Sequence, residues 1–321
     1  MSDAALGHAA LGGRVAARTP PAAARPGPRR ALQLGLAALW LLDGVLQFQP
    51  SMYTQRFPRM LAASAAGNPA VIARPVTWDA NLIQHHLVLF NTAFAAVQVL
   101  LGLGIALRPT VRPALAASVA WSLAVWWLGE GFGGIAAGTA SPVGGAPGAV
   151  SLYALLAVLL WPAGRPAEPP PYVAARAVGV RAARALWLVL WGSLACLALT
   201  PANRAPAALS GLLTDAAAGE PGWLAGLDRS AASAVAGHGL AAAVALALAC
   251  SVIAAGVLLP RPACRAVLVL AMVVTALIWV TGQALGMILA AGATDPNSGP
   301  PLLLLALAYW PAGAGRTELP G

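Results

Sequence analysis

Charge is the first thing this sequence lacks. Only 9% of its 321 residues are Asp, Glu, Lys or Arg, while 59% are hydrophobic. A soluble domain carries roughly 25% charged residues. So few charges cannot cover a water-facing surface, and the mean hydropathy of +0.75 agrees. A soluble fold is therefore excluded, and the chain belongs in lipid. Lysine is absent, so all 19 basic residues are Arg. The three cysteines, Cys196, Cys250 and Cys264, form no C-x-x-C and fall at different expected depths. That excludes the paired thiols of a membrane thiol oxidase. Histidine is scarce too, and no pair of metal ligands stands at helical i, i+4 spacing, so no metal site is expected.

What is present is a series of apolar segments, at about 31–49, 84–107, 113–136, 147–164, 184–200, 237–259, 265–290 and 301–314. Most approach the ~20 residues that cross a bilayer as a helix. The net charge of +9 at first points to nucleic acid. The Arg residues, however, sit in short blocks between apolar segments, which is the signature of membrane topology, and no nucleic-acid partner is expected. Fourteen of them fall in the N-terminal tail, the 108–112 turn, the 165–184 linker, the 261–265 turn and the C-terminal end. Five fall in the alternate loops: Arg56, Arg59, Arg74, Arg204 and Arg229. The positive-inside rule then puts both termini in the cytoplasm, with eight passes through the cell membrane. Residues 1–30 read as a disordered basic tail. They resemble the n-region of a signal peptide, but the apolar run that follows contains Asp43, so the tail is read as retained.

The chain also repeats itself. A shift of 153 residues sets 84–137 on 237–290 without a gap. His85 meets His238, Arg108-Pro109 meets Arg261-Pro262, Gly129 meets Gly282, and Glu130 meets Gln283. "WPAG" closes both halves, at 161–164 and 310–313. The predicted architecture is an all-α polytopic membrane protein, with eight transmembrane helices in two parallel four-helix repeats. A bundle over 31–164 carries the polar site. A cytoplasmic linker over 165–183 leads to a degenerate repeat over 184–314 and a tail over 315–321. An even number of passes per half makes the repeat parallel rather than inverted.

"WWLGEGFGG", residues 126–134, matches the dinucleotide fingerprint G-x-G-x-x-G. That motif requires a preceding strand within a βαβ unit. Here it closes an apolar segment on the outer side, so no nucleotide is expected. The glycines are read instead as small-xxx-small pairs for close helix packing. The tryptophans at 126, 127, 161, 191, 279 and 310 are read as packing or interfacial anchors.

Ionisable groups inside a membrane span are costly, so they mark functional candidates. Two acids qualify, Asp43 in the first segment and Glu130 in the third. At 1.5 Å per residue, Asp43, Glu130 and Asn91 all lie roughly 9–10 Å below the outer boundary. Gln47 lies one turn outward of Asp43 on the same face, and His85 stands at the mouth with His86. Asp43, Gln47, Asn91, Glu130 and His85 are therefore the candidate ligand- or proton-binding residues. Glu130 has a second reading, as a protonated lock between helices. The long segments 50–83 and 201–236 are expected to form outer caps that lid the site. A bis-histidine haem on His85 and His238 would need both rings to face a shared axis, and is not expected. No nucleophile–base pair is visible, so no catalytic residue is assigned.

The first apolar segment, "ALQLGLAALWLLDGVLQFQPSM", runs into a long outer loop and three further segments. In that layout, and in its Asp43-Gly44 tip, it resembles the DoxX/DoxD-type four-helix membrane module. The family often has Lys after that Gly, where this chain offers Gln47. The resemblance implies an accessory or binding subunit in a redox or envelope complex, with quinone as the cofactor it leaves open. The other function class is a proton- or cation-coupled small-molecule transporter. Expected partners are membrane lipids and a membrane-protein complex.

Overall fold

The computed structural model describes residues 26–164, 170–290 and 292–312, and these contain helices and turns with no strand. Most of the basic tail, Arg165 and the 315–321 tail lie outside these residues. Five helices are long and apolar enough to cross a membrane. They are α4 (Leu87–Ala106), α5 (Val111–Leu128), α7 (Ala175–Ala198), α11 (Gly239–Gly256), and α12 (Arg261–Leu277) with its π-helical extension to Gly282. Their outer faces are apolar and uncovered, for example at Val88, Leu100, Val189 and Leu248.

Helix α1 (Pro28–Gln47) starts on a proline at its first position, where the missing N–H costs nothing. It therefore takes in Arg29 and Arg30, which the sequence placed in the tail. It is as long as α4 but carries polar residues, and those point inward. Gln33, Asp43 and Gln47 are buried while Val45 is exposed. This inverts the soluble rule, as expected of a helix facing lipid.

Helices α1 and α4 pack closely. A Cβ on Gly102 would meet the Ala37 carbonyl at 2.9 Å and the Leu41 side chain at 2.6 Å. Small residues permit this backbone approach. The Arg-rich end is tied together by Arg side chains on backbone carbonyls. Arg30 donates to the carbonyls of Ile105 and Ala106 at the C-terminus of α4, a favourable place for a cation. Arg29 donates to Ala163 O and Arg112 to Pro162 O.

The fourth and eighth segments differ from expectation. Helix α6 (Ala149–Leu159) has 11 residues and α13 (Gly299–Ala308) has 10. At 1.5 Å per residue each is only about 15 Å long, half a hydrocarbon core. Each follows an irregular stretch, 135–148 and 292–298. The third segment also breaks early. Helix α5 ends at Leu128, and Gly131, Phe132, Gly133 and Gly134 all have positive φ. These glycines serve a left-handed turn, which glycine adopts without steric cost, and not the helix–helix packing read from the sequence. Residues 284–287 make a similar turn, with Ala284, Leu285 and Met287 also at positive φ.

The two long segments 50–83 and 201–236 fold as short helices. The first contains a 3-10 turn at Pro50–Tyr53, then α2 (Arg56–Ala63) and α3 (Ala70–His85). The second contains α8 (Pro201–Arg204), α9 (Ala208–Ala216) and α10 (Gly222–Val235). The linker expected over 165–183 is helical from Ala175, with a break at Gly179. One hydrophobic core runs through both halves, from Leu36 and Trp40 through Leu156 and Tyr153 to Trp187, Leu305 and Tyr309. At its centre α6 packs on α7 and α13, and α13 packs on α1.

Candidate functional site

A cavity of about 460 Å3 lies beneath α2 and α3, against α1, α4, α5 and the start of α6. Its wall contains four carboxyl groups: Asp43, Asp79, Glu130 and Asp295. It contains no Arg or His side chain among the described residues. The same wall holds Phe57, Phe94 and Trp121, with Phe94 edge-on to both other rings.

Asp43 owes its place to helix periodicity. It lies on the buried face of α1 with Trp40 and Gln47. Tyr153 OH donates to Asp43 Oδ1 at 3.3 Å. Tyr153 is fixed by the Trp40 ring, 4.9 Å away, and the Trp40 indole N–H donates to Ser118 at 2.9 Å. These groups pack behind Asp43.

Glu130 follows the end of α5 and reaches the first turn of α6. The Val150 N–H donates to its carboxylate. Gly148, the residue before α6, has no side chain, and a Cβ there would collide with Glu130 Oε2. Glu130 thus supplies from a distance what a capping side chain supplies locally, an anion on a helix N-terminus. Its Oε2 is nevertheless buried with no hydrogen-bond partner, as are Gln98 Oε1 and Trp121 Nε1 in the same wall. A buried unpaired polar atom is costly, so the two oxygens call for a donor and the indole N–H for an acceptor.

Asp295 comes from the other half of the chain. Its Oδ1 accepts from Asn297 N at 2.7 Å and its Oδ2 from Thr294 Oγ1 at 2.8 Å. Burial raises the Asp79 carboxyl above the usual range. Asp43, Glu130 and Asp295 are close enough to interact electrostatically with one another. The stretch of chain carrying Asp295 is pinned by Gln49. The Gln49 amide accepts from Gly292 N at 3.1 Å and donates to Ala293 O at 3.2 Å.

Of the residues singled out in the sequence, Asp43, Gln47 and Glu130 line this cavity. Asn91 does not. It is fully buried behind the wall and holds Gln47, accepting from its Nε2 at 2.5 Å and donating to its backbone carbonyl at 3.0 Å. His85 is exposed at the end of α3 and takes no part. The sequence reading confined the site to the first bundle, and the 294–297 stretch amends that. Asp79 and Gln98 also line the cavity without having been among the candidate binding residues, and Tyr153 packs behind Asp43. Asp79 carried a signal, an acid in an apolar stretch of the cap. Asp295 carried none, because an acid in a loop reads as solvated.

The second half has its own cavity of about 390 Å3, between α9–α12 and residues 141–143. Leucine, alanine, valine and isoleucine dominate its wall, with no titratable side chain. Among the described residues no three His, Cys, Asp or Glu side chains stand close enough to hold a metal ion. No family model, curated protein or solved structure matches the chain.

Proposed function

We propose that this protein crosses the cell membrane eight times, as two parallel four-helix repeats with cytoplasmic termini, and binds a small molecule in the outer cavity of its first half. The observation that carries the binding role is the cavity's chemistry. Four carboxyls and two unpaired buried oxygens gather in one roofed space of about 460 Å3. A purely structural core would fill such a space with apolar side chains.

Matched details support the repeat. Positive φ runs over 131–134 and again over 284–287. The Trp126 indole donates to Pro147 O at 2.6 Å, and the Trp279 indole to Pro296 O at 2.8 Å. Glu130 meets the N-terminus of α6, and Gln283 donates to Ser298, the residue before α13. In this arrangement α6 and α13 enter from the outer side as half-length helices, each completing its pass with the irregular chain before it.

The role in this reading is that of a binding or accessory subunit, the setting that the DoxX-like layout implies. Quinone fits the wall poorly. Its two carbonyls need donors, and the wall sets one unpaired donor, Trp121 Nε1, against two unpaired acceptors and four carboxyls. The broken third segments favour a second reading, cation- or proton-coupled transport, because transporters bind substrate at helix breaks. Purified protein in nanodiscs would be analysed by mass spectrometry for co-purifying small molecules, beside flux measurements in proteoliposomes. A retained small molecule without ion flux is the expected result. Flux that depends on Asp43 would replace binding with transport.

A further inference from the structure

We infer that the cavity takes a protonated organic amine with an apolar body. The inference rests on the reading of this cavity as a ligand site and names the ligand's chemistry.

Three observations lead there. The wall offers three mutually interacting carboxyls, Asp43, Glu130 and Asp295, and no cation to neutralise them among its described residues. Of its three buried atoms without partners, Glu130 Oε2 and Gln98 Oε1 are acceptors and Trp121 Nε1 is a donor. A ligand must therefore bring N–H or O–H donors as well as positive charge. The same wall presents Phe57, Phe94 and Trp121. Aromatic faces bind apolar groups and stabilise a nearby cation. An ammonium held by the carboxyls and Gln98, with its carbon body on the rings, meets the negative charge, both unpaired acceptors and the aromatic wall.

Other ligand classes fit less of this. An inorganic divalent ion wants several oxygens converging on one point, and it leaves the aromatic side unused. An anion would meet four carboxyls. The three mutually interacting acids also predict how binding responds to pH. Facing them are Asp79 from α3 and the Tyr153 hydroxyl from α6, while the Arg56 guanidinium lies outside the wall against Gly292. Raising pH ionises the acids while an alkylamine stays protonated, so affinity rises with pH.

The test uses full-length protein in nanodiscs. Phenethylamine would be compared with its trimethylammonium analogue, phenethyl alcohol, phenylpropionate and menadione, by thermal shift and calorimetry. Phenethylamine should bind and stabilise, more tightly at pH 8 than at pH 5. The trimethylated analogue should bind more weakly, because it has charge but no N–H. Asp295→Asn keeps the local turn and should weaken amine binding by about tenfold or more, the usual worth of a charged hydrogen bond. Gln98→Leu should weaken it too. In parallel, Ser64→Cys, made in a Cys196→Ser background, reports whether the cavity opens to water by reaction with an impermeant maleimide. Labelling of the introduced thiol with preferential binding of the alcohol, the carboxylate or menadione would overturn the amine inference and leave the cavity reading intact. Labelling with no binding by any probe would do the same. No labelling and no binding would overturn both.

Discussion

Glu130 separates a structural from a chemical role more sharply than any other residue here, because its carboxylate performs one task visibly and leaves an oxygen over. Its visible task is to accept the Val150 N–H at the start of α6. Glu130→Gln keeps an acceptor there and removes the charge. The cost is the charge's share of the interaction with the helix N-terminus, roughly 0.3–1 kcal/mol. Glu130→Leu removes the acceptor and leaves Val150 N–H unsatisfied. That resembles the loss of an N-cap, roughly 0.5–2 kcal/mol. Thermal unfolding of purified protein should therefore rank wild type first, Glu130→Gln close behind, and Glu130→Leu a few degrees lower. Ligand binding should rank differently. Glu130→Gln replaces one carboxylate oxygen by an amide N–H donor and removes a negative charge from a cavity that needs it. Phenethylamine affinity should fall in Glu130→Gln about as far as in Glu130→Leu. If Glu130→Gln binds like wild type, the charge has no role in the site. If it unfolds as early as Glu130→Leu, the carboxylate is chiefly a cap and the argument from its spare oxygen fails.

Three further outcomes follow from the packing and the proposed topology. Reporter fusions after residues 140 and 295 should report the outer side, and fusions after 170 and 320 the inner side; an inner signal at 140 would break the eight-pass arrangement. Gly102→Leu should force α1 from α4 and cost roughly 1–3 kcal/mol, seen as lower expression and an earlier thermal transition, since the glycine already sits 2.9 Å from the Ala37 carbonyl at its would-be Cβ. Gln49→Ala removes both hydrogen bonds to residues 292 and 293, so hydrogen exchange and proteolysis should rise across 292–298 while the membrane helices stay protected.

The limits of the sequence reading are physical. Asp43 and Gln47 were legible because a helix puts residues four apart on one face, and an acid amid leucines has no surface excuse. The interhelical pairing of Asn91 was legible only as polarity at a given depth. Depth does not say which way a side chain turns, and Asn91 turned to Gln47 and not to the cavity. The early end of α5 was hidden because Gly129–Gly134 fits both a packing stripe and a left-handed turn. Its second-half counterpart was harder still, since Ala284, Leu285 and Met287 are poor residues for positive φ and give no local cue. Asp295 reaches the site only because α13 packs on α1 and carries the preceding loop across. No pattern within either half encodes that contact.

The proposed repeat supplies a last test, because it shows what the same framework does without acids. Trp40 and Trp191 are both buried on their helices, and a shift of 151 residues relates them. The same shift sets Asp43 on Leu194 and Gln47 on Ala198, both buried. Aligning the two WPAG motifs sets Tyr153 on Leu302. Trp191, Leu194 and Leu302 border a void of only about 20 Å3. The second half thus packs apolar side chains where the first half buries an acid and a hydroxyl. Asp43→Leu alone should destabilise the protein, because Tyr153 OH loses its partner at a cost of roughly 1–3 kcal/mol. Tyr153→Phe alone should do likewise by stripping Asp43 of its donor. The double variant Asp43→Leu/Tyr153→Phe removes both polar groups and keeps the ring on Trp40, so it should regain most of that stability. It should also lose amine binding. A double-mutant cycle on thermal stability, read beside calorimetry, measures both. Additive losses of stability in the double variant would mean that the fold of the first half depends on this acid, and that its presence needs no ligand to explain it.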